Sequence, residues 1–406
     1  MERCIVIGAS HAGSQLVASL RQQGWEGEIL LLGNEPWWPY HRPPLSKTFL
    51  AENKNVEDIL IRPQAAYERA EETFRPNTTV ASIDTKSRSV TLADGEHLEA
   101  SHLVLATGAI PRHLPIPGSD LAGVHVLRNA ADVEAIRARA GAGKNAVIIG
   151  GGYIGLETAA SLRKLDMHVT LLEAEERVLA RVTGPEISGF YQRIHSEEGV
   201  TLLTSAMAAE IQGDTEVRAV TLRDGRSIDA DLVIVGVGIT PATALAEAAG
   251  LDVDDGVLVD EQCQSSAPGI YAVGDCARHF NPFYERSLRL ESIQNANDQA
   301  KTAAAAICGK PGPKPVIPWF WSDQYDIKLQ IAGLSQGFDD IAIRGNLNEG
   351  RSFAAFYYRD GKLLACDAVN RPKEFMLAKK LLSERLSIEA ERIVDESVDI
   401  KELMPA

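Results

Sequence analysis

Of the 406 residues only five are cysteine, at positions 4, 263, 276, 308 and 366, and no two are closer than 13 apart. No CxxC or CxxxxC occurs. This excludes a redox disulfide motif and a cysteine metal cluster, so no metal is expected. Unpaired thiols of this kind are expected to be structural, in a reducing, cytoplasmic setting. No apolar run approaches the ~20 residues that cross a bilayer, so no membrane contact is expected. Positive charge is also scarce. Forty-one Lys and Arg face 56 Asp and Glu, a formal net charge of −15, which disfavours nucleic acid as a partner. After one acid and one base the chain enters an apolar strand at Cys4-Ile5-Val6-Ile7, which leaves no room for a signal peptide before folded structure. Short-period repeats are lacking as well.

What the chain does contain is one long-range duplication. A strand, a glycine-rich turn and a helix run from Cys4 to Gln23, and again from Ala146 to Leu165. Each is followed by a second apolar strand closing on an acid: Ile29–Leu32 with Glu35, and Val169–Leu172 with Glu173. This is the βαβ pattern of a parallel sheet with crossover helices. Two copies predict an α/β protein with two doubly wound, Rossmann-like dinucleotide-binding domains. Gly/Pro-rich breaks at Thr107–Gly118, Gly236–Pro241 and Gly309–Pro318 divide the chain. The expected division is 1–112, 113–242, 243–318 and 319–406, the last a small α+β domain rich in alternating strands.

The second turn, Gly150-Gly151-Gly152-Tyr153-Ile154-Gly155, fits GxGxxG directly after a strand. Gly150 permits the tight turn, Gly152 lets backbone approach a pyrophosphate, and Gly155 lets helix pack on strand. The phosphates then meet the positive end of the helix. Glu173, 18 residues after Gly155, is placed for an adenosine ribose and favours NADH over NADPH, although Arg177 and Arg181 lie just downstream. Gly236 and Gly238 border the same expected site. The first turn, Gly8-Ala9-Ser10-His11-Ala12-Gly13, carries Ser10 at the middle position. Its support is Glu35, 22 residues after Gly13, with Asn34 beside it.

Two such units in one chain resemble the two-dinucleotide flavoproteins. Leu103–Gly108, with Ala106, Thr107 and Gly108, resembles the strand and turn that close their first FAD segment. Gly269–Asp275, with Gly274 and Asp275, resembles their second FAD motif, so the FAD domain is expected to be split around the NADH domain. Arg42-Pro43-Pro44-Leu45-Ser46-Lys47, Gly150–Glu157, Arg289–Asn295 and Pro318–Gln324 narrow the match. They resemble the putidaredoxin reductase-like ferredoxin reductases that serve P450s and aromatic dioxygenases. The resemblance covers nearly the whole chain.

It implies FAD contacts at Ala12, Asn34, Glu35, Lys47, Val80, Arg128, Asp275 and Ile293. It implies a Lys47–Glu157 ion pair beside the flavin, and Trp321 near the flavin and the acceptor side. The implied enzyme is an NADH:ferredoxin oxidoreductase, a monomer or weak homodimer. Hydride passes from NADH to FAD, and electrons pass singly to a small 2Fe-2S ferredoxin. A rubredoxin reductase is the alternative, and a flavoprotein with a non-catalytic role, resembling apoptosis-inducing factor, is a further one. A disulfide reductase would need CxxxxC, and Arg42–Leu50 holds no cysteine. An acidic partner would require local base, for which Arg289, Lys314 and Lys328 are candidates.

Overall fold

A computed structural model describes residues 2–403. It falls into two compact units. The first comprises the segments ending at Arg42, Asn55–Ile110 and Ile239–Pro315; the second comprises Pro43–Lys54, Pro111–Gly238 and the chain from Val316 onward.

A parallel five-stranded sheet forms the centre of the first unit, in the order Ile270–Ala272, His102–Leu105, Arg3–Ile7, Glu28–Leu32, Glu72–Arg75. Apart from edge strand Glu72–Arg75, its strands are predominantly apolar without alternation because both faces are covered. Side chains two apart share a face. Cys4 and Val6 therefore join one core cluster, and Ile5 and Ile7 the other. On the first face helix His11–Gln22 packs against helix Ile293–Ile307. Ala300, Ala303 and Ala304 are fully buried there, and their small side chains let the two helices approach closely. On the second face an antiparallel sheet of Val80–Asp84, Ser89–Leu92 and His97–Glu99 contributes Val80, Ile83, Val90 and Leu92 to the core.

The second unit repeats the plan. Its parallel sheet runs Val200–Leu203, His168–Leu172, Asn145–Ile149, Leu232–Val235, Val124–His125. Again an antiparallel three-stranded sheet covers one face, here through Ile211, Val217, Val220 and Leu222. The tail adds a five-stranded antiparallel sheet, ordered Trp319–Gln324, Ile327–Gly333, Lys362–Val369, Phe353–Arg359, Asp340–Gly345, with helix Pro372–Ser383 against it. Asp360 and Gly361 link two of these strands with φ of 51° and 72°, the pairing that a tight Asp-Gly hairpin turn demands.

The expected fold class is therefore present: two doubly wound halves and a smaller α+β tail. No helix among the described residues is long and apolar enough to cross a membrane.

Candidate functional site

In each half the glycine turn is forced by close backbone contact. Gly8 and Gly150 have φ of 115° and 117°. A Cβ on Gly8 would lie 2.1 Å from the Ala106 carbonyl oxygen, and one on Gly150 2.4 Å from that of Gly236. This is what Ala106 and Gly236 contribute: a neighbouring strand end pressed against the turn. Gly13 and Gly155 play the packing role, since a Cβ there would fall 2.0 and 2.1 Å from the Gly8 and Gly150 carbonyl oxygens.

Gly152 is different. A Cβ there meets nothing within 4 Å, so the space above it is open to a ligand. It caps helix Tyr153–Lys164, whose first turn carries no acid. The same holds for Ser10 and helix His11–Gln22. Ser10 is extended, with φ −119°, so a side chain costs the backbone nothing. Both helix N-termini thus keep their first turns free of acid, the arrangement that takes a phosphate. These cradles fit dinucleotides.

The acids behave differently in the two halves. Glu173 accepts hydrogen bonds from the backbone N–H of Gly151 at 2.7 Å and of Glu175 at 2.8 Å, which pins its carboxylate beside the glycine loop. Arg177, a potential binder of a 2′-phosphate, instead donates to the carbonyls of Ala180 and Thr183 and to Ser188 Oγ. Arg181 is exposed. Gly238 has φ 105°, and Arg112 and Arg181 approach its Cβ position to 3.7 Å. In the first half Glu35 is ion-paired with Arg42 and accepts from Tyr40 Oη at 2.5 Å. Arg42 also reaches Ser10 Oγ at 3.3 Å, so one guanidinium ties the first turn to its acid. Asn34 is exposed.

The two expected FAD segments meet within the first unit. A Cβ on Gly274 would stand 3.1 Å from that of Ala12, and Gly274 donates to Gln299 Oε1 at 2.8 Å. Asp275 follows in the same short turn, and helix Ile293–Ile307 packs against it. Thr107 Oγ1 donates to the Ala242 carbonyl at 2.8 Å, and Gly108 adopts φ 69°. Val80 points into the core at 7% exposure. Arg128, which precedes the capping box of helix Ala130–Arg139, belongs to the second unit.

Lys47 and Glu157 are brought together inside the second unit, 110 residues apart in sequence, with Nζ and Oε2 2.6 Å apart. Glu157 is 3% exposed. It also accepts from Ser46 Oγ at 2.5 Å and Ser322 Oγ at 2.6 Å. A buried carboxylate is tolerable only when so many donors replace water. Ser161 Oγ donates to the Ser46 carbonyl at 2.7 Å and anchors the lysine-bearing segment to the helix of Glu157. The Tyr153 ring lies 4.9 Å from that of Phe320, and Trp321 lies 5.6 Å from Trp319, all half-buried. Ile154 is 46% exposed.

Ser46, Ser161 and Ser322 were not singled out in the sequence. A signal for Ser322 existed: strand Trp319–Gln324 alternates, and its deeply buried positions are the polar Ser322 and Gln324. Of the expected docking bases, Arg289 is engaged by Asp255 and Glu291 and is only 10% exposed, whereas Lys314 and Lys328 are exposed.

Two glycine-turn cradles on two parallel sheets, with a buried lysine–carboxylate pair and no paired thiols among the five free cysteines, define an oxidoreductase that uses two dinucleotides. The family model described as pyridine nucleotide-disulphide oxidoreductase matches residues 2–300, and the one described as reductase C-terminal matches 319–404. The chain belongs to the pyridine nucleotide-disulphide oxidoreductase family, and its cofactors are FAD and NADH. It is 44% identical to a ferredoxin–NAD(P)+ reductase from a Sphingomonas species over 95% of this chain and 94% of that protein. It is 38% identical to a rubredoxin–NAD+ reductase of Pseudomonas putida over 91% of this chain and 96% of that one. Among solved structures, the covalent putidaredoxin reductase–putidaredoxin complex superposes with a TM-score of 0.96 at 43% identity, covering 99% of this chain and 98% of that one.

Proposed function

We propose that this protein takes hydride from NADH onto FAD and passes the electrons one at a time to a small 2Fe-2S ferredoxin that serves a P450 or another oxygenase. The observation that carries the reading is the Lys47–Glu157 pair. Its lysine lies in the stretch where a disulfide reductase would hold CxxxxC, in a chain similar over its full length to reductases of small electron carriers. FAD, when bound, supplies the two-electron acceptor that can release electrons singly.

The chain's own residues bind and orient. Gly8, Ser10, Ala12 and Gly13 receive the FAD phosphates. Glu35, held by Arg42, and Asn34 take its ribose. Ala106, Thr107 and Gly108, with Gly274, Asp275 and Ile293, complete the cradle, and the backbone of Val80 adds to it. Gly150, Gly152, Tyr153, Ile154 and Gly155 receive NADH, with Glu173 on its ribose and Gly236 and Gly238 beneath it. Lys47 places a fixed positive charge at the reacting end, and Glu157 holds that lysine in place. Trp321 faces the acceptor. Five unpaired cysteines suit the reducing cytoplasm.

A second acceptor class, rubredoxin, is favoured by the 38% identity to a rubredoxin reductase. Steady-state reduction of purified 2Fe-2S ferredoxins and of rubredoxin by the holoenzyme with NADH, with oxygen as control, separates them. Rapid ferredoxin reduction is expected. Preference for rubredoxin transfers the assignment, and slow reduction of both defeats the electron-transfer reading.

A further inference from the structure

Glu157 is the end of a longer hydrogen-bonded line. Ser322 Oγ lies 2.6 Å from Glu157 Oε1, and Gln324 Nε2 lies 3.1 Å from Ser322 Oγ. Gln324 Oε1 lies 2.8 Å from His195 Nε2, and His195 Nδ1 lies 3.0 Å from Tyr325 Oη. His195 comes from helix Pro185–Glu197, Ser322 and Gln324 from strand Trp319–Gln324, and Glu157 from helix Tyr153–Lys164. All belong to the second unit. His195 and Ser322 are 0% exposed and Gln324 1%.

The direction of this line is fixed from one end. A carboxylate paired with Lys47 can only accept, so Ser322 must donate its single hydroxyl proton to it. Ser322 Oγ must then accept from its other neighbour, which makes the amide nitrogen of Gln324 the donor. The amide oxygen of Gln324 therefore faces His195 and requires a proton on Nε2. A neutral ring with Nε2–H has a bare Nδ1, which accepts from the Tyr325 phenol. Burial pushes the His195 imidazole down to about 4, so it is neutral across the physiological range. Every donor in the line points toward Glu157, and hydrogen bonds aligned in this way polarise one another.

We infer that His195, Gln324 and Ser322 are positioning residues that hold the Glu157 carboxylate, and through it the Lys47 ammonium, in the geometry used for hydride transfer. The inference rests on the proposed role of the Lys47–Glu157 pair. The amide of Gln324 interrupts any proton path, so the line orients charge and carries no proton.

The test is a double-mutant cycle on the holoenzyme, read by stopped-flow flavin reduction at saturating NADH. Glu157→Gln alone should slow reduction. Gln324→Leu, which keeps the length but removes both hydrogen-bonding atoms, should slow reduction roughly 3- to 10-fold, the value of one net hydrogen bond. It should leave flavin content and NADH affinity as in the wild type. In the Glu157→Gln background, Gln324→Leu should add no further loss. A purely structural contribution would slow both backgrounds equally, and that outcome overturns the inference, as does wild-type speed in Gln324→Leu. Full speed in Glu157→Gln overturns the lysine–glutamate reading itself and the inference with it.

Histidine-selective 15N spectra of the unmutated holoenzyme give a readout independent of folding defects. The His195 resonances, identified by their loss in His195→Gln, should report a neutral Nε2–H ring at pH 7, with the Nδ1 signal moving in Tyr325→Phe. An Nδ1–H or doubly protonated ring overturns the direction of the line.

Discussion

Replacing Gly152 by alanine, and separately Gly155 by alanine, should break two different things. At Gly152 the backbone has φ −78° and ψ −178°, which alanine adopts freely, and the new methyl meets no protein atom within 4 Å. Restricting the unfolded chain is worth about 0.4–1 kcal/mol. Alanine is a poorer N-cap than glycine, a loss of about 0.5–1 kcal/mol. The two nearly cancel, so folding stability should stay within ~1 kcal/mol of the wild type. The methyl instead fills the space where the NADH pyrophosphate approaches. The apparent NADH Kd, from the concentration dependence of flavin reduction, should rise at least ~10-fold, or ~1.4 kcal/mol.

At Gly155 the methyl would sit 2.1 Å from the Gly150 carbonyl oxygen. That atom belongs to a tight turn and cannot swing aside. Helix and strand must separate, at the upper end of over-packing costs, ~3 kcal/mol or more. Urea unfolding followed by flavin fluorescence would show it directly. A Gly152→Ala enzyme with wild-type NADH affinity would refute the open-cradle argument. A Gly155→Ala enzyme of wild-type stability would refute the packing argument.

Lys47→Met should leave FAD bound and slow its reduction by NADH about 10-fold or more, because a fixed charge in a dry site is removed; an unchanged stopped-flow rate would refute its role. Glu173→Ala removes the carboxylate that two loop amides hold. It should raise KM for NADH severalfold while narrowing the NADH/NADPH preference, and an unaltered ratio of kcat/KM values for the two coenzymes would refute the assignment. Asp367 is buried under Thr183 and Tyr357 hydroxyls, and burial pushes its carboxyl from 3.8 up to about 6. The folded state thus binds this proton more tightly than the unfolded one, so stability is fully present below pH ~4, falls to about pH 6 and is level above. Asp367→Asn keeps an acceptor oxygen and cannot ionise. It should stabilise by up to about 3 kcal/mol at pH 7.5 and by almost nothing at pH 4, measured by urea unfolding, whereas a pH-independent difference would refute the burial argument.

The parallel sheets were legible because a strand buried on both faces writes itself as an unbroken apolar run, as in Ile29–Leu32 and Val169–Leu172. The glycine turns were legible because only glycine tolerates a Cβ position 2.1–2.4 Å from a carbonyl oxygen. Edge strand Asp340–Gly345 was not. It is bracketed by charge, and Arg344 reads as a solvent residue. In the fold Arg344 is 4% exposed and donates to the carbonyls of Ile393, Asp395 and Val398. The three-stranded antiparallel sheets were also missed, because short half-exposed strands such as His97–Glu99 carry no periodic signal. Around the site, the partners of Glu157 were hidden for a different reason: Ser46 lies 111 residues before it and Ser322 165 residues after it, so they share no local pattern, and only tertiary packing introduces them.

The segment Pro43–Lys54 folds with the second unit although the chain on either side of it folds with the first. On a ribosome this imposes an order. Lys47 emerges early but has no carboxylate to meet until Glu157 is made. The first parallel sheet is likewise one strand short until Ile270–Ala272 follows. Most of the chain must therefore be synthesised before either half can close, and the nascent N-terminal third spends that time without strand Ile270–Ala272 and without helix Ile293–Ile307 against helix His11–Gln22. A gene cut at the apparent linkers would yield fragments that each lack a piece made elsewhere: residues 111–238 alone would contain Glu157 without its lysine.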